Sequence, residues 1–347
     1  MIAPVRTLSP RALNRAVLAR QLLLERSPAP LPRALERVAG IQAQYAPSMY
    51  VGLWSRLEGF EREALTRALE RRSVVQGTLM RMTIHLVSRR DYWPLALGVR
   101  AVRRASWLRT ARDAPPEAEM AVAASALRER LADGTIHRKE LEALLSRPRS
   151  GGVGLWLDLV RAPPSGTWER RRADLYAAAA AWIGETGHED EEAAMDHLVR
   201  RYLRGFGPAT AEDVASFTGL PIGTVRRLLA RLELRELRSA DGATLVDVPR
   251  APLPDPDTPA PPRFLPTWDA TLLVHARRAG VLPEELRPRV FSIHTPQSVP
   301  TFLVDGAVAG AWRFEDGAIR LEPWRRLDRA DERALAEEAE RLAAFHA

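Results

Sequence analysis

Proton transfer and metal binding near neutral pH fall first to histidine, and the chain has seven: His85, His137, His188, His197, His275, His294 and His346. None form an H-x₃-H or HExxH pair, so a protein metal site is not expected, although carboxylates alone can still hold magnesium. There is no cysteine. That removes disulfides, iron–sulfur clusters and cysteine zinc sites together. Lys139 is the only lysine, which leaves Schiff-base chemistry one side-chain amine, in a helix of the second unit described below, and the N-terminal amine. Arginine is what the chain has in excess. Lys+Arg number 51 against 44 Asp+Glu, a formal charge of +7. Codon bias in a GC-rich genome produces such a skew; so does a phosphate-binding surface built on the planar donor fork of arginine. Where the arginines sit therefore matters more than how many there are.

The elements that must position these groups follow from length and patterning. With 347 residues, 46% hydrophobic and 27% charged, the chain can bury sizeable cores over two or three small domains. No apolar run of about 18 residues exists, so no transmembrane helix is expected. The N-terminal segment opens an amphipathic helix instead of a signal-peptide core, and the expected location is the cytoplasm, with nucleoid association when DNA is bound.

A first unit, 1–110, reads as helices and then a β-ribbon. Ser9-Pro10 caps a helix carrying Leu13, Val17, Leu18 and Leu22. Leu31 to Val38 forms a short helix stopped by Gly40, Arg62 to Arg71 another, and residues 74–87 are β-rich. The second unit, 111–190, repeats the theme: a helix over 117–132, a short helix ending at Leu145, and a turn at Pro163-Pro164-Ser165-Gly166, with 152–161 readable as strand or helix. In the third, 191–248, Met195, Leu198, Val199, Tyr202 and Leu203 line one helix. A capping box at Thr210 opens the next, Gly219-Leu220-Pro221 turns the chain, and Val225, Leu228, Leu229 and Leu232 point inward from a third helix. A hairpin turning at Asp241-Gly242 completes a helix-turn-helix with a wing. Residues 249–266 are a proline-rich extended connector. Strands are expected at Thr271–Val274, Val290–Ile293, Thr301–Val304, Ala307–Phe314 and Ala318–Leu321 in a β-rich domain, 267–347, closed by a helix from Asp331 to Phe345. The expected fold class is α+β: three tandem winged-helix-like units scaffolded by a small C-terminal β-domain.

Five blocks then line up in order: Gly40-Ile41-Gln42-Ala43-Gln44, the ribbon Gly77 to Val87, Arg204-Gly205-Phe206-Gly207-Pro208-Ala209-Thr210, Phe264-Leu265-Pro266-Thr267-Trp268-Asp269, and Leu303 to Arg313. In these the chain resembles the winged-helix DNA glycosylases, especially the azinomycin-resistance (AlkZ) branch, over nearly its full length. The resemblance implies three winged helices forming a DNA-sized channel around a C-terminal β-barrel. It also implies a monofunctional enzyme that excises bulky N7-alkylated guanine, unhooks interstrand crosslinks, and serves a producer's self-resistance or alkylation repair. Its catalytic motif, glutamine–hydrophobic–glutamine, falls here on Gln42-Ala43-Gln44; a sister branch has aspartate at the second polar position. The partner implied is double-stranded DNA carrying alkyl lesions or crosslinks, with no membrane, no cofactor, no metal and a monomeric chain.

Two amides supply neither acid nor base, which glycosidic hydrolysis normally wants. An N7-alkylated guanine, however, already carries positive charge and leaves neutral. What remains is to orient a water and stabilise an oxocarbenium-like sugar, which a carboxamide does with its oxygen and its NH₂. Residues i and i+2 diverge on a helix but share a side of an extended strand, so residues 42–44 should be non-helical. Without the resemblance, Gln42 and Gln44 read as two solvated polar residues after a helix end.

For DNA contact the sequence offers Arg226, Arg227 and Arg231 on the outward face of the third unit's recognition-type helix, or a solvated face there. It also offers a hairpin over 287–298 carrying Arg289, His294 and Gln297 near its tip, or an ordinary surface turn. Arg81 and His85 lie on the first wing, where Arg81 is a DNA-contact candidate or structural, and His85 is expected to make a buried hydrogen bond. Trp54 is expected in the core, with base stacking as its other reading, and Asp269 as a turn cap. A winged-helix transcription regulator and a non-catalytic lesion-binding protein are the competing functions; regulators usually dimerise on paired half-sites, and no dimerisation helix is evident.

Overall fold

Helices begin where the sequence supplies a cap. The Ser9 hydroxyl accepts from the Ala12 N–H at 3.1 Å to open Pro10–Arg20, Asp190 caps Glu191–Phe206, and Thr210 and Asp213 close a reciprocal capping box on Ala211–Thr218. The computed structural model describes residues 5–132, 134–187, 190–292 and 297–347, and it is a mixed α/β chain with three sheets.

The largest sheet has six strands in the order Ile41–Gln42, Ile84–Ser88, Val74–Thr78, Leu159–Arg161, Leu175–Ala178, Ile136–His137, every neighbouring pair antiparallel. It crosses position 110, so the first two units share one hydrogen-bonded ladder. The third unit is laid out as expected: Glu191–Phe206, Ala211–Thr218, a left-handed Gly219, Ile222–Arg231, then Arg235–Ser239 and Thr244–Asp247. Its hairpin gains a third strand, Thr7–Leu8, paired in parallel with Arg238 and Ser239. The last sheet is antiparallel: Arg263–Leu265, Thr301–Val304, Ala307–Glu315 and Ala318–Pro323, with Arg329–His346 as the closing helix.

Several expectations need correction. Thr271–Val274 is not a strand: Ala270–Leu272 and Val274–Ala279 are 3₁₀ turns, the first capped by Asp269 through the Thr271 N–H. Val290–Ile293 is not one either, since Arg287–Val290 is a short helix; Ile293 lies outside the described residues. Short apolar runs bury equally well in either state, and no open strand edge of the four-stranded sheet recruits these two. The hairpin expected over 287–298 therefore begins as a helical turn. The 152–161 stretch is mostly neither alternative: it runs from the end of helix Arg149–Gly152 through a 3₁₀ turn to strand Leu159–Arg161. The connector 249–266 ends in the strand Arg263–Leu265.

Arg89–Thr110, a 22-residue helix, has no counterpart among the expected elements. It packs on Glu191–Phe206 so closely that a Cβ on Gly98 would lie 3.0 Å from the Ala194 carbonyl oxygen. One apolar core runs from Val17 through Val99, Leu198 and Phe217 to Leu303, tying the first and third units to the C-terminal domain. The second unit keeps a core of its own around Met120, Leu127 and Leu141.

Candidate active site

Helix Leu31–Val38 stops on two consecutive left-handed residues, Ala39 (φ 64°) and Gly40 (φ 80°). A Cβ on Gly40 would lie 2.9 Å from the Val87 side chain, so only glycine lets the chain pass this close to the ribbon. Ile41 and Gln42 then pair with Leu86 and His85, and the Ala43 N–H donates to the Ile84 carbonyl at 2.7 Å. Residues 43–45 are irregular before helix Ala46–Trp54 begins. The segment is non-helical, as the spacing of its glutamines requires, and the two side chains meet: Gln42 Nε2 donates to Gln44 Oε1 at 2.5 Å. Gln42 is 5% exposed, whereas Gln44 is open to solvent.

The group behind Gln42 is Arg81. It sits at the tip of the Val74–Ser88 ribbon, where Arg81 (φ 52°) and Met82 (φ 61°) are both left-handed without being glycine, a conformation that costs of order 1 kcal/mol or more per residue. The strain aims the guanidinium inward. Nη2 donates to Gln42 Oε1 at 3.3 Å, Nη1 donates to the Phe217 carbonyl at 2.8 Å, and the group lies 5.2 Å from the Phe217 ring centroid. A guanidinium only donates, so Gln42 must turn its oxygen to Arg81 and its NH₂ to Gln44. The order Arg81, Gln42, Gln44 leaves the Gln44 NH₂ and one lone pair of its oxygen facing out.

Burial pulls the Arg81 guanidinium down to about 10, still protonated at neutral pH. His85, in register with Gln42, is fully enclosed; its Nδ1 lies 3.0 Å from the Thr83 carbonyl, and burial, with Arg81 second, depresses it to about 3. His275, ringed by Tyr202, Phe206 and Phe217, is likewise held far below its ordinary value by burial, then by Arg81 and His85. Both histidines are neutral, so among the described residues the one cation in contact with the glutamines is Arg81. Tyr45, the residue after Gln44, lines a cavity of about 310 Å³ together with Trp168, Arg171, Trp312 and Phe314; neither glutamine is part of its lining. No group of three His, Asp or Glu that could hold a metal occurs among the described residues.

The DNA-contact candidates fare differently. Arg226 pairs with Glu212 at 3.0 Å and Arg231 with Asp196 at 2.8 Å and with Glu192; Arg227 has neither an ion pair nor a hydrogen bond among the described residues. Arg289 lies 3.6 Å from Glu322 and over the Trp324 ring. His294 lies outside the described residues, and Gln297 has a partner. Trp54 is in the core against Phe345 and Arg26, and Asp269 is a buried cap paired with Arg56 at 2.9 Å. Nothing in the residue order marks the Arg81–Gln42 contact, because a left-handed φ on a non-glycine residue leaves no trace in residue identity.

The family model described as DNA glycosylase AlkZ-like matches residues 35–345. Among solved structures, the Streptomyces sahachiroi DNA glycosylase AlkZ is similar in fold, with a TM-score of 0.80 and 20% identity over 98% of this chain and 97% of that one. No curated protein matches the sequence.

Proposed function

Because the chain belongs to the AlkZ-like DNA glycosylase family, a family of enzymes acting on DNA, we propose that it hydrolyses the N-glycosidic bond of bulky N7-alkylated purines in duplex DNA and unhooks interstrand crosslinks, with Gln42 and Gln44 as its catalytic pair. The observation that carries this reading is the mutual orientation of the two amides. They touch, they lie on non-helical backbone, and a buried guanidinium fixes the Gln42 amide and through it which groups of Gln44 face out.

The chemistry needs no group that titrates. As the bond between C1′ and N9 breaks, its electron pair enters the cationic base, which departs neutral. A water held by the Gln44 oxygen attacks C1′ and its proton passes to bulk solvent, since neither amide can keep it. The outward NH₂ of Gln44 donates to an oxygen of the sugar–phosphate backbone. Rate enhancement then comes from placement and from fixed dipoles, with the Arg81 charge polarising the Gln42 amide and through it Gln44. A neutral, undamaged purine lacks the built-in leaving-group activation and should not react. The aromatic-lined cavity that begins at Tyr45, one residue past the pair, suits a bulky substituent on the lesion.

The three helix-and-ribbon segments, 1–110, 111–190 and 191–248, are read as winged helices around a barrel-like domain 267–347. A monofunctional mechanism fits a chain whose one lysine, Lys139, lies in helix Arg138–Leu145 of the second unit, on a different element from the glutamines. Mass spectrometry of bases released from duplexes treated with bulky alkylators and with a simple methylator tests the proposal. Free alkylpurine with an intact abasic strand is expected; release of unmodified purine at equal rate, or sequence-specific binding without release, refutes it.

A further inference from the structure

A second arginine is buried without a carboxylate in contact, away from the glutamines, and this one has no hydrogen-bond partner among the described residues either. Arg103, on the inner face of helix Arg89–Thr110, is 5% exposed and makes no hydrogen bond or ion pair among the described residues; its Nε is enclosed and unsatisfied. Leaving a cation this way costs several kcal/mol unless something occupies its donors. Burial lowers both Arg103 and its neighbour Arg161 from the ordinary arginine value.

Arg103 lines a cavity of about 420 Å³ between the first two units, within the range of small-ligand sites. Thr78 and Met82 of the ribbon form one wall, and the Ser150–Gly154 stretch forms another. The cavity is graded in charge. Arg103 and Arg161 lie deep in it, Arg161 donating to Thr78 Oγ1 at 2.8 Å with its Nε unsatisfied, while Arg138 and Arg147 stand exposed at its mouth. Its two carboxylates are already engaged, Asp158 by Arg100 at 2.5 Å and Glu142 by Arg138 at 2.9 Å. Four lining arginines against two lining carboxylates leave a charge of +2. A phosphodiester carries one negative charge, whereas a phosphate monoester carries roughly 1.5 to 2 at pH 7. The monoester matches.

We propose that this cavity is a binding site for the phosphate of a nucleotide 5′-monophosphate, held by Arg103 with Arg161. The same chemistry comes from two sources, a free mononucleotide or the 5′-phosphorylated end of a DNA strand. Neither depends on Gln42 or Gln44, so the site stands or falls independently of the excision chemistry.

Calorimetric titration of the full-length protein with dGMP and with deoxyguanosine tests it. The expected result is one-to-one binding of dGMP and none of deoxyguanosine. Arg103→Met should weaken dGMP binding by about tenfold or more, the loss of a charge-assisted pair. Gly151→Asp is the second variant: a Cβ at Gly151 meets nothing within 4 Å, so the added carboxylate fits at the lining and repels the anion. Displacement of dGMP by a 5′-phosphorylated oligonucleotide, but not by its 5′-hydroxyl twin, assigns the cavity to strand ends; failure of both to displace it assigns free nucleotide. Absence of dGMP binding at millimolar concentration, or wild-type affinity in either folded variant, overturns the proposal.

Discussion

Arg81 and Arg226 were both candidates for gripping DNA, one at a ribbon tip and one on a recognition-type helix, and the structure treats them in opposite ways. Arg226 stands in solvent and leans on Glu212; Arg231, on the same helix, is tied to Asp196. Arg81 is drawn inward on strained backbone and contacts only neutral acceptors, a backbone carbonyl and the oxygen of Gln42. An exposed pair contributes little, about 0–1 kcal/mol, and leaves the arginine free to exchange its partner. A buried cation without a counter-charge is costly, and it persists where the surrounding structure over-determines it. The exposed face of a helix therefore suits weak, salt-sensitive contacts, whereas the ribbon tip suits holding one geometry.

The largest effect expected from this contrast is at the glutamines. Gln42→Ala and Gln44→Ala should each slow base release by about 10²–10³-fold in single-turnover assays, the scale for losing one preorganised dipole, with duplex affinity unchanged. Next comes Arg81→Met, expected to lower the single-turnover rate by about tenfold to a hundredfold through misplacement of Gln42, again without loss of duplex binding. If Arg81→Met instead weakened duplex binding and left the rate intact, the contrast between the two arginines would collapse.

The pH response should separate stability from chemistry. His85 and His275 are held neutral in the fold, well below an unfolded value near 6.5, so the unfolded chain binds more protons as acid is added. Their contribution is present above about pH 6.5 and is lost as pH falls; for His85, depressed to about 3, the loss reaches about 2 kcal/mol by pH 5. Urea midpoints measured from pH 7 to pH 5 should fall accordingly, while the excision rate per folded molecule stays level because neither amide titrates. A rate that tracked a histidine titration would place an acid or base in the reaction.

The smallest effect belongs to the helix face. Arg227→Ala should reduce the slope of log affinity against log salt by about 0.9, one phosphate contact, and Arg226→Ala and Arg231→Ala by less, since their donors already have carboxylate partners. Equal slopes for all three would mean that the internal pairs give way to DNA.

What was legible depended on how local the signal is. The third unit could be followed residue by residue because its punctuation is chemical: Thr210 and Asp213 for the cap, Gly219 for the left-handed stop, Asp241-Gly242 for the hairpin. Helix Arg89–Thr110 escaped because Pro94, its sixth residue, lies past the first turn, where proline argues against a helix. The expected strands at 271–274 and 290–293 failed because runs of four residues, three of them apolar, are too short to show a period. Parallel pairing of Thr7–Leu8 with a hairpin some 230 positions away has no sequence signal at all.

Residue types and spacing alone determined the helix–helix–turn–helix–hairpin order of residues 191–248, the absence of thiol chemistry, and the need for Gln42 and Gln44 to sit on extended chain if they act together. Only the tertiary structure decided which cations are free and which are spent, because a partner's charge is felt through space and falls off with distance, not with position along the chain. It also decided that the first two units share a sheet, and that Arg81 looks inward, since strand pairing and a strained φ are settled by what else is packed nearby.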